Sequence, residues 1–271
     1  MGGGALSDVI AAAILGLVQG ITEFLPISST AHLILVTRML GLDPARYGLP
    51  FDIALHLGTG LAVLLYFLPV WLGLLRDVLR GRFRLPLLIA VGTVPGVIAG
   101  VLLESTAERE LRGSWPIAAG LVGGSLAFWL AERIGRDARE RGLAGTTFID
   151  VIVIGLAQAV ALVPGVSRSG ITISAGLFRG LARPDAARLS FLFATPITLG
   201  AVLKTAFDAR RASELFAHPD TLAIGFVVSF LAGLGTVALL MRFVRTHSLT
   251  WFVPYRLVLA LAVLVSAAAG A

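Results

Sequence analysis

The feature that most constrains this chain is a series of long apolar runs with almost no charged residues inside them. A helix needs about 20 residues to cross the hydrocarbon core of a bilayer, which is about 30 Å thick. Because that core offers no water to the backbone, a run that crosses it alone must be helical. The runs therefore predict an all-α polytopic membrane protein with six full crossings. Their bounds are residues 51–72, 86–103, 115–130, 187–207, 222–241 and 251–269.

Composition narrows the classes of function. Hydrophobic residues make up 57% of the chain and charged residues 14%, which excludes a water-soluble enzyme. The net charge is +6, but the arginines lie in short connections between apolar runs, where membrane proteins collect them. No nucleic-acid partner is therefore predicted. The chain has no cysteine, so a metal ion would be bound through oxygen or imidazole ligands.

Two further apolar stretches, residues 9–40 and 150–181, are interrupted in the middle. Pro26 breaks the first and Pro164 breaks the second, and serines follow each break. A proline ends a helix, and a serine after it favours the start of another. Because each half is too short to cross the bilayer, we predict two re-entrant helix-loop-helix hairpins whose tips lie at membrane depth.

The charges of the loops predict how the chain is threaded. Residues 73–85, 132–146 and 242–250 carry more arginine than acidic residues, which is typical of cytoplasmic loops. Residues 104–112 and 204–220 carry no such excess and are predicted to face outward. This threading places both termini outside, with the first hairpin entering from outside and the second from the cytoplasm.

The two halves of the chain share a sequence pattern. Gly16-Leu-Val-Gln19 recurs 139 residues later as Gly155-Leu-Ala-Gln158, and Ser28 recurs as Ser167 at the same offset. With the loop charges, this predicts an inverted-topology repeat in which each half is one re-entrant hairpin plus three transmembrane helices. Such repeats are typical of transporters, whose binding sites lie where the broken helices meet. The predicted bounds are 1–271 for a single membrane domain, about 8–134 for repeat one and about 147–271 for repeat two.

The first break places polar side chains inside an apolar run, where an ionisable residue indicates a functional site. Gln19 and Glu23 are four residues apart and share one helical face, and Ser29 and His32 are three apart and share the next. A carboxylate, a hydroxyl and an imidazole can therefore converge. The alternative is that a backbone carbonyl or a hydroxyl satisfies His32, but the nearby Glu23 favours a functional role.

The second break supplies the complementary charge. Arg168 lies between Ser167 and Ser169 at the start of a half-helix, where free N–H groups favour an anion. A planar guanidinium can also donate two parallel hydrogen bonds to the oxygens of one phosphate. We therefore predict a phosphate site. The alternative is that Arg168 only neutralises a buried Glu23.

The segments QGITEFLPISSTAH (residues 19–32) and PGVSRSGIT (residues 164–172) resemble the two signature stretches of bacterial undecaprenyl-diphosphate phosphatases, the bacitracin-resistance family of integral membrane proteins. The resemblance extends over the whole chain in length, number of spans and spacing of the two stretches. It implies hydrolysis of a polyprenyl diphosphate lipid at an outward-facing site of the bacterial inner membrane. It also implies an inverted-repeat fold and a divalent cation, Mg2+ or Ca2+.

Carried over by position, the resemblance implies active-site roles for Glu23, Ser29, His32, Ser167, Arg168, Ser169 and Thr172. We add Ser28 to the residues predicted to bind the diphosphate, and we predict Ser29 as the nucleophile with His32 as its base. Attack by water, with Glu23 or His32 as the base, is the alternative. Glu23 and Gln19 are the predicted metal ligands. Many family members have Glu where this chain has Gln19, whose amide oxygen can still coordinate a cation.

Other features are interpreted structurally. His56 follows Asp52 and could approach the site, but a place between helices or at the interface is favoured. Asp150 is predicted to be an N-cap or a partner of the helix dipole. The spacing of Gly16 and Gly20 favours either close helix packing or the contact face of a homodimer. A transporter or flippase of the lipid monophosphate, or of another anion, is the alternative function.

Overall fold

The structure, a computed structural model, describes residues 7–43, 46–134, 141–207 and 218–268, and these residues are almost entirely helical. The all-α prediction is therefore confirmed for the described part of the chain. The helices are α1 (Asp8–Thr22), α2 (Ser29–Met39), α3 (Leu49–Tyr66), α4 (Leu68–Leu79), α5 (Arg84–Glu110), α6 (Ser114–Ile134), α7 (Phe148–Val160), α8 (Arg168–Phe178), α9 (Arg183–Phe207), α10 (Pro219–Phe243) and α11 (Val253–Ala268). Two short 3-10 turns lie at Leu143–Gly145 and Leu249–Phe252.

Several helices are long and apolar enough to cross a membrane, as predicted. Within the described residues there are five, at Arg84–Leu103, Ser114–Ile134, Arg183–Lys204, Pro219–Phe243 and Leu249–Ala268. The sixth predicted crossing, residues 51–72, is wrong as a straight span, because α3 and α4 meet at Phe67 with a bend of 66°. Pro69 in the first turn of α4 explains the break, since proline has no N–H to continue the α3 ladder.

The two interrupted stretches form pairs of short helices, α1 with α2 and α7 with α8. In each pair the serine before the second helix has a left-handed backbone, with φ of 73° at Ser28 and 74° at Ser167. These are the non-glycine residues with positive φ among those described. Each serine caps its helix, because Ser28 Oγ accepts the N–H of Ala31 and Ser167 Oγ accepts that of Gly170. Strained backbone of this kind is concentrated at functional sites.

Small residues bring α1 close to α10. A Cβ atom at Gly16 would lie 2.7 Å from the carbonyl oxygen of Gly225, and one at Gly20 would lie 2.6 Å from the Cβ of Ala232. Both distances are shorter than real contacts, so glycine is required. The Gly16 and Gly20 pattern therefore serves packing within the chain.

A buried arginine of α11 connects the two breaks. Arg256 is fully buried, and its Nη1 donates to the carbonyl of Pro26 over 2.9 Å. Its Nη2 donates to the carbonyls of Gly165 over 2.9 Å and Val166 over 3.1 Å. A buried guanidinium is tolerated only when such partners satisfy it. The breaks near Pro26 and Gly165 are therefore held against one side chain.

Asp150 is not the N-cap of α7, which is Thr147, but it lies in the first turn and completes a capping box with Thr147. Its carboxylate accepts the N–H of Thr147, whose hydroxyl in turn accepts the N–H of Asp150. Asp150 also pairs with Arg141 and Arg179. The loops 132–146 and 204–220, whose charges predict the threading, lie partly outside the described residues, as does residue 269.

Candidate functional site

A cavity of about 610 Å³ lies where the two breaks face each other. Residues of both breaks form its wall together with side chains of α3, α5 and α9. The polar groups in that wall include Glu23, Ser28, Ser29, His56, Ser167, Arg168 and Thr198. The two breaks therefore converge on one cavity, as predicted.

The opposite charges of the two breaks are in direct contact. Glu23, whose side chain is 7% exposed, accepts a hydrogen bond at Oε1 from Nη2 of Arg168. The other guanidinium nitrogen, Nη1, donates to the hydroxyl of Thr198 over 3.0 Å. A guanidinium has five N–H donors, so these two bonds leave donors for an anion in the cavity. The pairing with Glu23 and phosphate binding are therefore compatible.

The second oxygen of Glu23 organises the rest of the first break. Ser29 Oγ donates to Glu23 Oε2 over 2.7 Å, and Gln19 Nε2 donates to the same oxygen over 3.2 Å. Ser29 lies at the first position of α2, so its hydroxyl is fixed by helix geometry. Because the carboxylate accepts the Ser29 proton, Glu23 is positioned to remove it.

His32 does not reach Ser29. Its Nδ1 donates to the carbonyl of Ser28 over 2.7 Å, and its Nε2 accepts from the hydroxyl of Tyr255 over 2.6 Å. The carbonyl can only accept, which places the ring proton on Nδ1. The two rings are stacked at 5.7 Å, and His32 is absent from the wall of the cavity. The hydroxyl of Ser29 therefore contacts Glu23, and the predicted pairing of His32 with Ser29 is not seen in this geometry.

Two of the serines predicted to bind a diphosphate lie in the wall of the cavity. They are Ser28 and Ser167, which also cap α2 and α8. Ser28 Oγ additionally accepts the N–H of Gly165 over 3.1 Å, a bond between the two breaks. Ser28 Oγ accepts two N–H groups and can still donate its own proton to an anion, whereas the hydroxyl of Ser167 also contacts Ser169 Oγ.

Ser169 and Thr172 lie behind the wall. Thr172 is fully buried, donates to the carbonyl of Arg168 over 2.7 Å and contacts the hydroxyl of Ser190 at 2.6 Å. Ser169 Oγ contacts Ser167 Oγ at 3.2 Å. The structure therefore places these two side chains where they fix the start of α8, with no direct access to the cavity.

Three features of the wall go beyond the favoured sequence interpretation. His56, for which packing was favoured over an approach to the site, lines the cavity with its Nε2 3.5 Å from Glu23 Oε2. Thr198 anchors Arg168, and Arg112 pairs with Asp52 over 2.8 Å. The signal for His56 was available, because an ionisable residue in an apolar run indicates function. The other two contacts join distant segments and left no local signal.

The oxygens around Glu23 fit a divalent cation. Gln19 Oε1 is buried and has no hydrogen-bond partner among the described residues, and a half-turn of the amide would exchange it with Nε2 beside Glu23. Carboxylate and amide oxygens are the ligands that Mg2+ and Ca2+ prefer. Among the described residues, no three His, Asp or Glu side chains are placed so that they could together hold a metal ion. Other ligands would therefore come from neutral groups, water or a bound phosphate.

Comparisons with known proteins agree with the motifs. A family model described as bacitracin resistance protein BacA matches residues 12–262. A protein of Trichlorobacter lovleyi named undecaprenyl-diphosphatase is 43% identical over 258 residues, which cover 92% of this chain and 93% of that protein. A protein of Rubrobacter xylanophilus with the same name is 42% identical over 270 residues, or 93% of this chain and 96% of that protein. One from Corynebacterium efficiens is 43% identical over 255 residues, or 90% and 85%.

Proposed function

The chain belongs to the bacitracin resistance protein BacA family, and from that membership we propose that it hydrolyses undecaprenyl diphosphate to undecaprenyl phosphate and inorganic phosphate. The contact of Glu23 with Ser29 and Arg168 in one cavity carries this proposal. The protein is a phosphatase held in the membrane by several apolar helices. Its product is the lipid carrier that cell-wall synthesis uses again.

The diphosphate binds at the start of α8. Arg168 supplies guanidinium donors, and the first N–H groups of the helix and its dipole attract the same anion. Ser28 and Ser167 add hydroxyl donors from the wall of the cavity. Ser169 and Thr172 support this subsite by fixing the backbone and Arg168.

Ser29 is the proposed nucleophile. Its proton passes to Glu23 while Oγ forms a bond to the terminal phosphorus, and the bond from that phosphorus to the bridging oxygen breaks. Undecaprenyl phosphate leaves, and water then hydrolyses the phosphoserine to restore the hydroxyl and release phosphate. Direct attack by water, with Glu23 as the base, is the second route. His32 positions the first break through Ser28 and Tyr255.

A divalent cation, Mg2+ or Ca2+, is held by Glu23 and Gln19 in this proposal. When bound, such a cation neutralises phosphate charge as a Lewis acid. The buried Oε1 of Gln19, which has no hydrogen-bond partner among the described residues, supports this. A buried acceptor without a partner costs free energy of folding, and a cation would supply that partner.

The polyprenyl tail leaves the phosphate subsite between α5 and α9. Gly100 and Gly200 belong to that wall, and a Cβ atom at either would meet no other atom within 4 Å. The apolar side chains of Val97, Val101 and Ile197 lie on the same wall. These helices therefore offer an apolar path that a lipid chain can occupy.

For the finer topology we propose an inverted repeat of two re-entrant hairpins in the bacterial inner membrane, with periplasmic termini. The matched left-handed caps at Ser28 and Ser167 support it. Gln19 and Gln158, at equivalent places in the repeated pattern, also both carry a buried Oε1 without a partner among the described residues. A homodimer stays a prediction, which Gly16 and Gly20 no longer support because α10 covers them.

Phosphate release from purified protein in detergent tests the function. With undecaprenyl diphosphate or a shorter prenyl diphosphate, we expect release that a chelator stops and that Mg2+ or Ca2+ restores. Arg168→Ala should remove it, whereas Arg245→Ala, at an exposed arginine far from the cavity, should not. A protein that releases no phosphate but moves the lipid monophosphate across sealed vesicles would be a transporter.

A further inference from the structure

The imidazole of His56 faces Glu23 in a way that the proposed reaction does not use. His56 lies on α3, and its Nδ1 is 2.7 Å from the carbonyl oxygen of Asp52, one turn earlier. Because that carbonyl can only accept, the ring proton is on Nδ1. The other nitrogen, Nε2, faces Glu23 Oε2 at 3.5 Å in the wall of the cavity.

This geometry sets two acceptors opposite each other. In the ring with its single proton on Nδ1, Nε2 carries a lone pair, as does the carboxylate oxygen, so the two atoms can share one cation. A separation of 3.5 Å is also longer than a normal hydrogen bond. Two ligands about 2.1 Å from one metal ion lie roughly 3.0–3.4 Å apart at octahedral to tetrahedral angles. The distance between His56 and Glu23 is therefore close to that of two ligands of a shared ion.

The partner of Nδ1 fits the same interpretation. Histidines that bind metal ions almost always donate their second ring N–H to a carboxylate or a backbone carbonyl, which orients the free nitrogen. Asp52 supplies that carbonyl to His56. The side chain of Asp52 is occupied elsewhere, in its ion pair with Arg112. The ring of His56 is thus pre-oriented towards Glu23.

The charges around Glu23 leave room for an ion on one side. Arg168 occupies Oε1, and Oε2 has Ser29, Gln19 and His56 around it. Gln19 is neutral, so Glu23 is the only carboxylate among these groups. The Oε2 side of Glu23 therefore combines one carboxylate, one amide and one imidazole.

We propose that His56 Nε2 is a direct ligand of the divalent cation that Glu23 and Gln19 hold, so that this chain has a mixed nitrogen and oxygen site. The proposal rests on the cation site of the proposed function. An imidazole ligand favours first-row transition ions over Mg2+ and Ca2+. The site should therefore bind Mn2+ more tightly than Mg2+ or Ca2+, by about tenfold or more.

Mn2+ binding to the purified, full-length protein tests this without any turnover. Electron paramagnetic resonance of bound Mn2+ should show a hyperfine coupling to one imidazole nitrogen in the unchanged protein. His56→Gln should remove that coupling and raise the Kd for Mn2+ at least tenfold. The control is His247→Gln, since His247 is a half-buried histidine stacked on Phe243 and lies outside the cavity wall.

The outcomes separate this proposal from the function on which it rests. Mn2+ that binds in a Glu23-dependent manner, without nitrogen coupling and with the same Kd in His56→Gln, overturns the His56 ligand and leaves the cation at Glu23. In that case His56 contacts Glu23 without sharing its ion. Because the nitrogen coupling is measured in the unchanged protein, misfolding of a variant cannot mimic its presence or absence there. Phosphate release, measured separately, decides the proposed function.

Discussion

Ser29 Oγ lies 2.7 Å from Glu23 Oε2, and the hydroxyl donates its proton to the carboxylate. The two residues stand on either side of the first break, Glu23 after α1 and Ser29 at the start of α2. The break between α1 and α2 therefore brings the proposed nucleophile and the proposed base into contact. Arg168, from the second break, contacts the other oxygen of the same carboxylate.

Ser29→Ala should lower kcat by at least about a thousandfold, because it removes the proposed nucleophile. Glu23→Gln should lower it by about 10²–10⁴, the usual contribution of a general base. Phosphate release measures both. Acid quenching with substrate labelled in the terminal phosphate should trap phosphate on Ser29. Ser266→Ala, on α11, is the control, and near-normal turnover in Ser29→Ala would assign the attack to water.

Thr198→Val should weaken substrate binding, because it removes a hydrogen bond that orients Arg168. A hydrogen bond to a charged group contributes about 1.5–3 kcal/mol, so kcat/KM should fall by about tenfold or more. Thr198→Ser should restore most of it. Thr195→Val is a matched control one turn earlier on α9, where the hydroxyl bonds only to the carbonyl of Phe191. Equal losses in both variants would contradict a specific role for Thr198.

Gly100→Leu should raise KM for a long prenyl diphosphate more than for a short one. The added side chain enters the cavity wall between α5 and α9, in space that is open around Gly100. Gly123→Leu is the control, because Gly123 also has open space around it but lies outside that wall. A loss that does not depend on chain length would place the tail elsewhere.

Arg256→Met should destabilise the protein, because it leaves the carbonyls of Pro26, Gly165 and Val166 without their donor. A buried acceptor left unpaired costs about 1–3 kcal/mol. The thermal midpoint in detergent should fall by several degrees, and kcat should fall with it because both breaks lose their shared anchor. Arg256→Lys should rescue only part of the loss, since an ammonium cannot reproduce the planar fork. An unchanged thermal midpoint in Arg256→Met would show that the two breaks keep their structure without Arg256.

Most of the fold was predictable from local sequence. Length and hydropathy located α5, α6, α9, α10 and α11, because a run that must satisfy its own backbone in a bilayer has one solution. The exception is the bend at Phe67, where a proline inside an apolar run looked like part of one span. Hydropathy counts apolar residues and does not register a missing N–H.

The sequence by itself determined the chemistry that this protein has available: a carboxylate, serine hydroxyls and an arginine at two breaks in an apolar chain. It could do so because burying such groups without function is costly, whatever the surroundings. The tertiary structure decided which of them work together. His32 turned to Tyr255, 223 residues away, while His56 and Thr198 came to Glu23 and Arg168. The direction of a side chain depends on partners from distant helices, and no local pattern carries that information.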